Sequence, residues 1–201
     1  PYRVELRGLP MDFQHDGESF RTTIRTNAGE VTMHMVHTSA MQRDGISMPF
    51  VKKFAICSLD DFAAIAQVFE HLEVVPTPEA YAAFRRRIGE RGLAVASGPI
   101  ASPMHLILHD LVPPEQFFYL YADEPEALRQ LAKRMTPFFY KTLDVLAACE
   151  AEVVFWGGNY DQNLTWPAFF QAEIAPWLKL ASDRMHAAGK YVLTHTDGEN
   201  Q

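Results

Sequence analysis

Residues 151–200, AEVVFWGGNYDQNLTWPAFFQAEIAPWLKLASDRMHAAGKYVLTHTDGEN, read as strand, loop, helix, strand and loop. The apolar run at 153–156 stops at Gly157-Gly158. Thr165 is the expected N-cap of the helix, with Pro167 in its first turn. Phe170, Ile174, Trp177, Leu178, Ala181 and Met185 recur at helical spacing, and Gly189 fits the position just past the helix end. A second apolar run, 191–194, stops at His195-Thr196-Asp197-Gly198. This is a βαβ pattern, which predicts two neighbouring parallel strands joined by a right-handed crossover. Parallel α/β folds hold their chemistry beyond the carboxyl ends of the strands. Asn159, Asp161, His195 and Asp197 are therefore expected to face one crevice as catalytic residues.

The same logic extends upstream. Residues 93–97 read as a buried strand that ends at Gly98-Pro99. Ser102 is the expected N-cap of the next helix, with Pro103 at its first position. The free N–H groups of that first turn suit an anionic substrate group. Ser97, Met104 and His105 are the expected substrate-binding residues. His105 and His109 have metal-ligand spacing on one helix face, but Leu106-Ile107-Leu108 replaces the HEXXH pattern. His109 is expected to cap or pack.

Strand-GGNYD, a helix with an internal Ala175-Pro176-Trp177, and then HAAGKYVLTHTDGEN together resemble the uroporphyrinogen decarboxylase superfamily. The resemblance spans roughly residues 20–200 and includes the Gly98-Pro99 loop and a T-x-x-G turn at Thr26 and Gly29. It implies a (β/α)8 barrel. The superfamily holds true decarboxylases and cobalamin-dependent methyltransferases. In zinc-dependent methyltransferase members the His of an H-x-C pattern at this strand end binds the metal. His195 matches that His, while Asp197 stands where the Cys would be. The resemblance thus implies zinc at His195 and Asp197, since zinc accepts carboxylate as well as thiolate. It also implies a corrinoid carried on a partner protein.

Three readings of function follow. The preferred one is methyl transfer between a small molecule and a corrinoid, with zinc assisting. The second is decarboxylation of a carboxylated tetrapyrrole without cofactor. Its arginine-rich loop is not recognisable here, and Ala101-Ser102-Pro103 replaces its glycine- and threonine-rich loop. The third is a non-catalytic barrel module, with His195 an ordinary strand-end histidine and Asp197-Gly198 a turn.

The expected fold class is α/β: a partial (β/α)8 TIM barrel with an N-terminal antiparallel hairpin. Residues 1–50 form the hairpin appendage and 51–201 the βα units. A whole barrel needs about 250 residues. The 201 residues therefore read as an internal fragment, the alternative being a small α/β domain with a short sheet. Residues 21–26 and 30–36 alternate in β fashion across Asn27-Ala28-Gly29. Residues 2–6 also alternate, whereas 12–20 read as a loop with a turn at Asp16-Gly17. His34 and His37, three apart in a strand, point to opposite faces and do not form a shared metal site.

Helices are expected after Ser58, with Asp61 completing a capping box, and from Thr77-Pro78 to Gly92. The longest starts at Glu124-Pro125, with Pro137 inside it. Arg85-Arg86-Arg87 reads as a solvated helix face.

Composition bounds the rest. The chain is 48% hydrophobic and 12% aromatic, enough for a core. A net charge of -7 without a basic block argues against nucleic acid. No apolar run approaches about 20 residues, so no membrane span is expected. Cys57 and Cys149 read as reduced thiols, which fits a cytoplasmic location. Open strand edges predict pairing with another chain, hence a homo-oligomer.

Overall fold

The computed structural model describes residues 1–197. Gly198, read above as part of a turn, lies outside the described residues. In chain order the strands are β1 (Tyr2–Leu6), β2 (Met11–His15), β3 (Ser19–Thr26), β4 (Gly29–Val36), β5 (Phe50–Lys53), β6 (Leu72–Pro76), β7 (Ala96–Ser97), β8 (Val153–Phe155) and β9 (Tyr191–Leu193). The helices are α1 (Ser39–Arg43), α2 (Phe62–Glu70), α3 (Pro78–Ile88), α4 (Pro103–Leu106), α5 (Pro114–Asp123), α6 (Pro125–Ala148), α7 (Pro167–Phe169) and α8 (Ala175–Ala187). Widened π turns at Ile107–Leu111 and Phe170–Ile174 follow α4 and α7. The second ends just before Pro176, whose ring and missing N–H disrupt regular α-helical bonding there. Among the described residues no helix is long and apolar enough to cross a membrane.

The chain divides into two units. One comprises Leu6–His71 and Ile107–Arg134. Its sheet has the order β2-β3-β4-β5. The expected hairpin is present, with Thr26 opposite Gly29. The Thr26 hydroxyl donates to the Gly29 carbonyl at 2.9 Å and accepts from the Ala28 N–H at 3.1 Å, which locks the turn. Residues 12–20, expected as a loop, instead supply β2 and its turn into β3. All five β2 residues are exposed, and the alternation of Met11, Asp12, Phe13 and Gln14 spans only four residues. Helix α2 packs on β3 and β4. Asp61 Oδ2 accepts from the N–H groups of Cys57 and Ser58 at 2.7 and 2.9 Å, the acidic half of the expected capping box. His34 bonds Ser19 Oγ and His37 bonds the Ile46 carbonyl, both as structural polar contacts.

The other unit comprises Pro1–Glu5, Leu72–Leu106 and the described residues from Met135 onward. It holds the β1-β6 pair and the three-stranded sheet β7-β8-β9. Both pairings in the three-stranded sheet are parallel, with Ala96 beside Val154 and Val154 beside Val192. The strand-helix-strand reading of 151–194 thus matches the topology. Helix α3 ends at Gly89 (φ 54°) rather than at Gly92. The strand expected over 93–97 narrows to Ala96–Ser97, because Leu93 is exposed.

The barrel expectation is overturned. The three parallel strands form an open sheet and do not close. A barrel requires tilted strands whose register closes edge to edge. Here parallel strands of two and three residues leave β7 and β9 as edges. The other strands go to antiparallel pairing in β2-β3-β4-β5 and to the separate β1-β6 pair. The architecture is mixed α/β.

The core beneath the parallel sheet is aromatic. Trp156 is fully buried and meets Phe139 edge to face at 6.3 Å. Phe139 in turn meets Trp177 of α8 at 5.5 Å. Trp156 Nε1 donates to the Ala101 carbonyl at 3.1 Å, so its one polar atom is satisfied. Lys190, just before β9, is buried and donates from Nζ to the carbonyls of Cys149 and Ala151. It thereby supplies a donor to two backbone carbonyls just after α6. Both cysteines are free thiols.

Candidate functional site

Three loops leave the carboxyl ends of the parallel strands: Gly98-Pro99 after β7, Gly157-Gly158-Asn159-Tyr160 after β8, and Thr194-His195-Thr196-Asp197 after β9. Gly157 has φ 77°, and Asn159 follows at φ 57°. This left-handed conformation suits glycine and asparagine. It turns the chain so that Tyr160 folds back into the core, where it is 3% exposed. The β8 loop and the β9 end stay paired past the named strands: Tyr160 bridges Thr196, and the Asp197 N–H donates to the Tyr160 carbonyl at 2.9 Å.

The parallel register sorts side chains onto two faces. Ala96, Val154 and Val192 share the face turned to the helices; Ser97, Phe155 and Leu193 share the other. His195 and Asp197 continue the second face. Their side chains are 55% and 46% exposed, and Nδ1 lies 3.3 Å from Oδ1. Ser97, expected to bind substrate, is exposed on that same face. Ser97 on β7 thus shares a face with His195 and Asp197, with β8 lying between them.

The remaining expected residues have other places. Asn159 is exposed on the β8 loop. Asp161 is committed to holding that loop: Oδ1 accepts from the N–H groups of Asn163 and Leu164 at 2.8 and 3.0 Å. Thr165 bonds back to the Asp161 carbonyl rather than capping the helix, and Trp166 is the N-cap. Ser102 does cap its helix, accepting from the His105 N–H at 3.0 Å. Met104 and His105 are buried, at 2% and 0% exposure. The His105 ring stacks on Tyr160 at 5.4 Å, so it belongs to the packing behind the loop. His109 pairs with Asp110 at the surface.

Among the described residues no group of three or more His, Cys, Asp or Glu side chains converges. Catalytic zinc takes three protein ligands. His195 and Asp197 are two side chains of the kind that ligate zinc.

Tyr160 is the residue that sequence reasoning missed. Its phenol oxygen accepts from Thr194 Oγ1 at 3.2 Å and from the Gly158 N–H. Burial raises its pKa above the ordinary phenol value, outweighing these two donors. It was visible in GGNYD only as an aromatic between polar neighbours. Compared with family models, curated proteins and solved structures, the chain matches none.

Proposed function

We propose that the carboxyl end of the parallel sheet is the reaction site of a small-molecule enzyme in which His195 moves a proton. The observation that carries this is the 3.3 Å approach of His195 Nδ1 to Asp197 Oδ1 on an accessible face. With the Nδ1 proton directed at the carboxylate, Nε2 is left to accept a proton. Asp197 fixes the orientation of the ring. Ser97 on the same face supplies a hydroxyl for orienting substrate.

The resemblance directs this chemistry to methyl transfer, with a corrinoid on a partner protein as the other methyl carrier. His195 would take the proton of a thiol acceptor as its sulfur bonds the methyl carbon and the carbon–cobalt bond of the carrier breaks, its electron pair staying on the cobalt. The decarboxylase reading has less support, because none of the three loops contains the Lys or Arg that would hold several carboxylates. The same face also supports self-association. Tyr191 is 72% exposed and Leu193 49% exposed, beside the open edge of β9.

The test is demethylation of free methylcobalamin by a small thiol, followed by the change in its visible spectrum. Turnover by the native chain is expected, with a loss on the order of 100-fold in His195→Ala and a smaller loss in Asp197→Asn. No turnover by the native chain would overturn methyl transfer. Turnover unaffected by His195→Ala would remove His195 from the reaction.

A further inference from the structure

The helix-facing side of the same strands carries a separate feature. Thr194 and Thr196 alternate with His195 and Asp197 and face the opposite way. They line a half-open cavity of about 300 Å³ together with Tyr160, Gln162, Phe170 and Leu178. Phe170 stands edge-on to Tyr160 at 5.5 Å, so one wall presents aromatic surface. The opposite contribution from Leu178 is apolar. The polar lining consists of hydroxyls and carboxamides, with Gln171 adding a second amide, and among the described residues no lining side chain carries a formal charge.

We propose that this cavity binds an uncharged planar small molecule that bears a carboxamide or an equivalent donor–acceptor pair. A charged group entering here would lose water without gaining a counter-ion, which is costly. Carboxamide and hydroxyl side chains both donate and accept, so they match a group that does the same. The volume lies at the lower end for ligand pockets, which suits a single ring with one substituent. Thr194 already donates to Tyr160, which leaves its oxygen to accept from a ligand N–H. The proposal does not rest on the reaction assigned to His195, whose side chain lies on the other face.

Benzamide is the probe, with benzoate as its charged counterpart of the same shape. Binding is read by the shifts of the Thr194 and Thr196 methyl resonances during titration. Saturable benzamide binding with Kd on the order of 1 mM is expected, with benzoate at least about tenfold weaker. Leu178→Trp, which fills the cavity, should abolish the response. Thr196→Val keeps the volume and removes one hydroxyl, and should weaken benzamide by about three- to tenfold. The proposal is overturned if the threonine methyls show no saturable shift, if benzoate binds as tightly as benzamide, or if a folded Leu178→Trp protein still binds. Should Leu178→Trp not fold, unchanged affinity in Thr196→Val overturns it instead.

Discussion

The phenol oxygen of Tyr160 occupies the space that a side chain on Gly157 would need. A Cβ built on Gly157 falls well inside van der Waals contact with Tyr160 Oη and 3.0 Å from the Ala101 Cβ. The backbone there is also left-handed, at φ 77°. Gly157→Ala is expected to destabilise the chain by at least about 1–3 kcal/mol, measured by urea unfolding. In a Tyr160→Phe background the penalty should shrink, because the nearest obstacle is gone. Equal penalties in both backgrounds would refute the close approach.

Lys190 lies at the start of β9 and is 9% exposed, with Nζ on two carbonyls. Lys190→Met keeps most of the stem and removes the donor. The cost expected is about 1–3 kcal/mol, again by denaturant unfolding. A neutral result would mean that water satisfies those carbonyls as well as the ammonium does.

Three phenols, Tyr81 and Tyr160 buried and Tyr2 half-buried, set an alkaline limit. Burial pushes Tyr2 up to about 12 and raises Tyr81 and Tyr160 in the same direction. A raised folded-state pKa means that the unfolded chain loses the proton first. Stability is therefore fully present below about pH 10 and falls as pH rises from there towards 12. Melting temperature against pH should show this decline, and Tyr2→Phe should make it shallower. An unchanged slope in Tyr2→Phe would place that phenol in water.

The exposed sheet face should mediate self-association. Leu193→Lys places a charge beside Tyr191 on that face. Sedimentation at rising concentration should show a dimer for the native chain and a monomer for Leu193→Lys. A native chain that stays monomeric throughout would refute the interface.

Legibility in the sequence followed the range of the interaction. The Ser58/Asp61 cap, the Thr26/Gly29 turn and Gly189 at φ 72° were readable because each depends on a few adjacent residues. Strand β2 was missed, since its Met11-Asp12-Phe13-Gln14 alternation is short and wholly exposed, and only pairing with β3 makes it a strand. Strand β6 follows α2 directly, with only His71 between them, and pairs with the distant β1. Within the site, the expectation that His195 and Asp197 face one crevice came from their place beyond the carboxyl end of a parallel strand. The burial of Met104 and His105 did not, because it depends on where Tyr160 turns back.

The sequence by itself determined the strand–helix–strand order of 151–194, the parallel pairing it implies, and the placing of His195 and Asp197 at a strand end. Those properties are written in local periodicity and in turn residues. Only the tertiary structure decided that the sheet stays open, that Asp161 is spent on its own loop, and that Thr194 and Thr196 wall a cavity behind the histidine. Each of these depends on which strands find one another and on what packs against their faces. That competition among non-local contacts leaves no period in the chain to read.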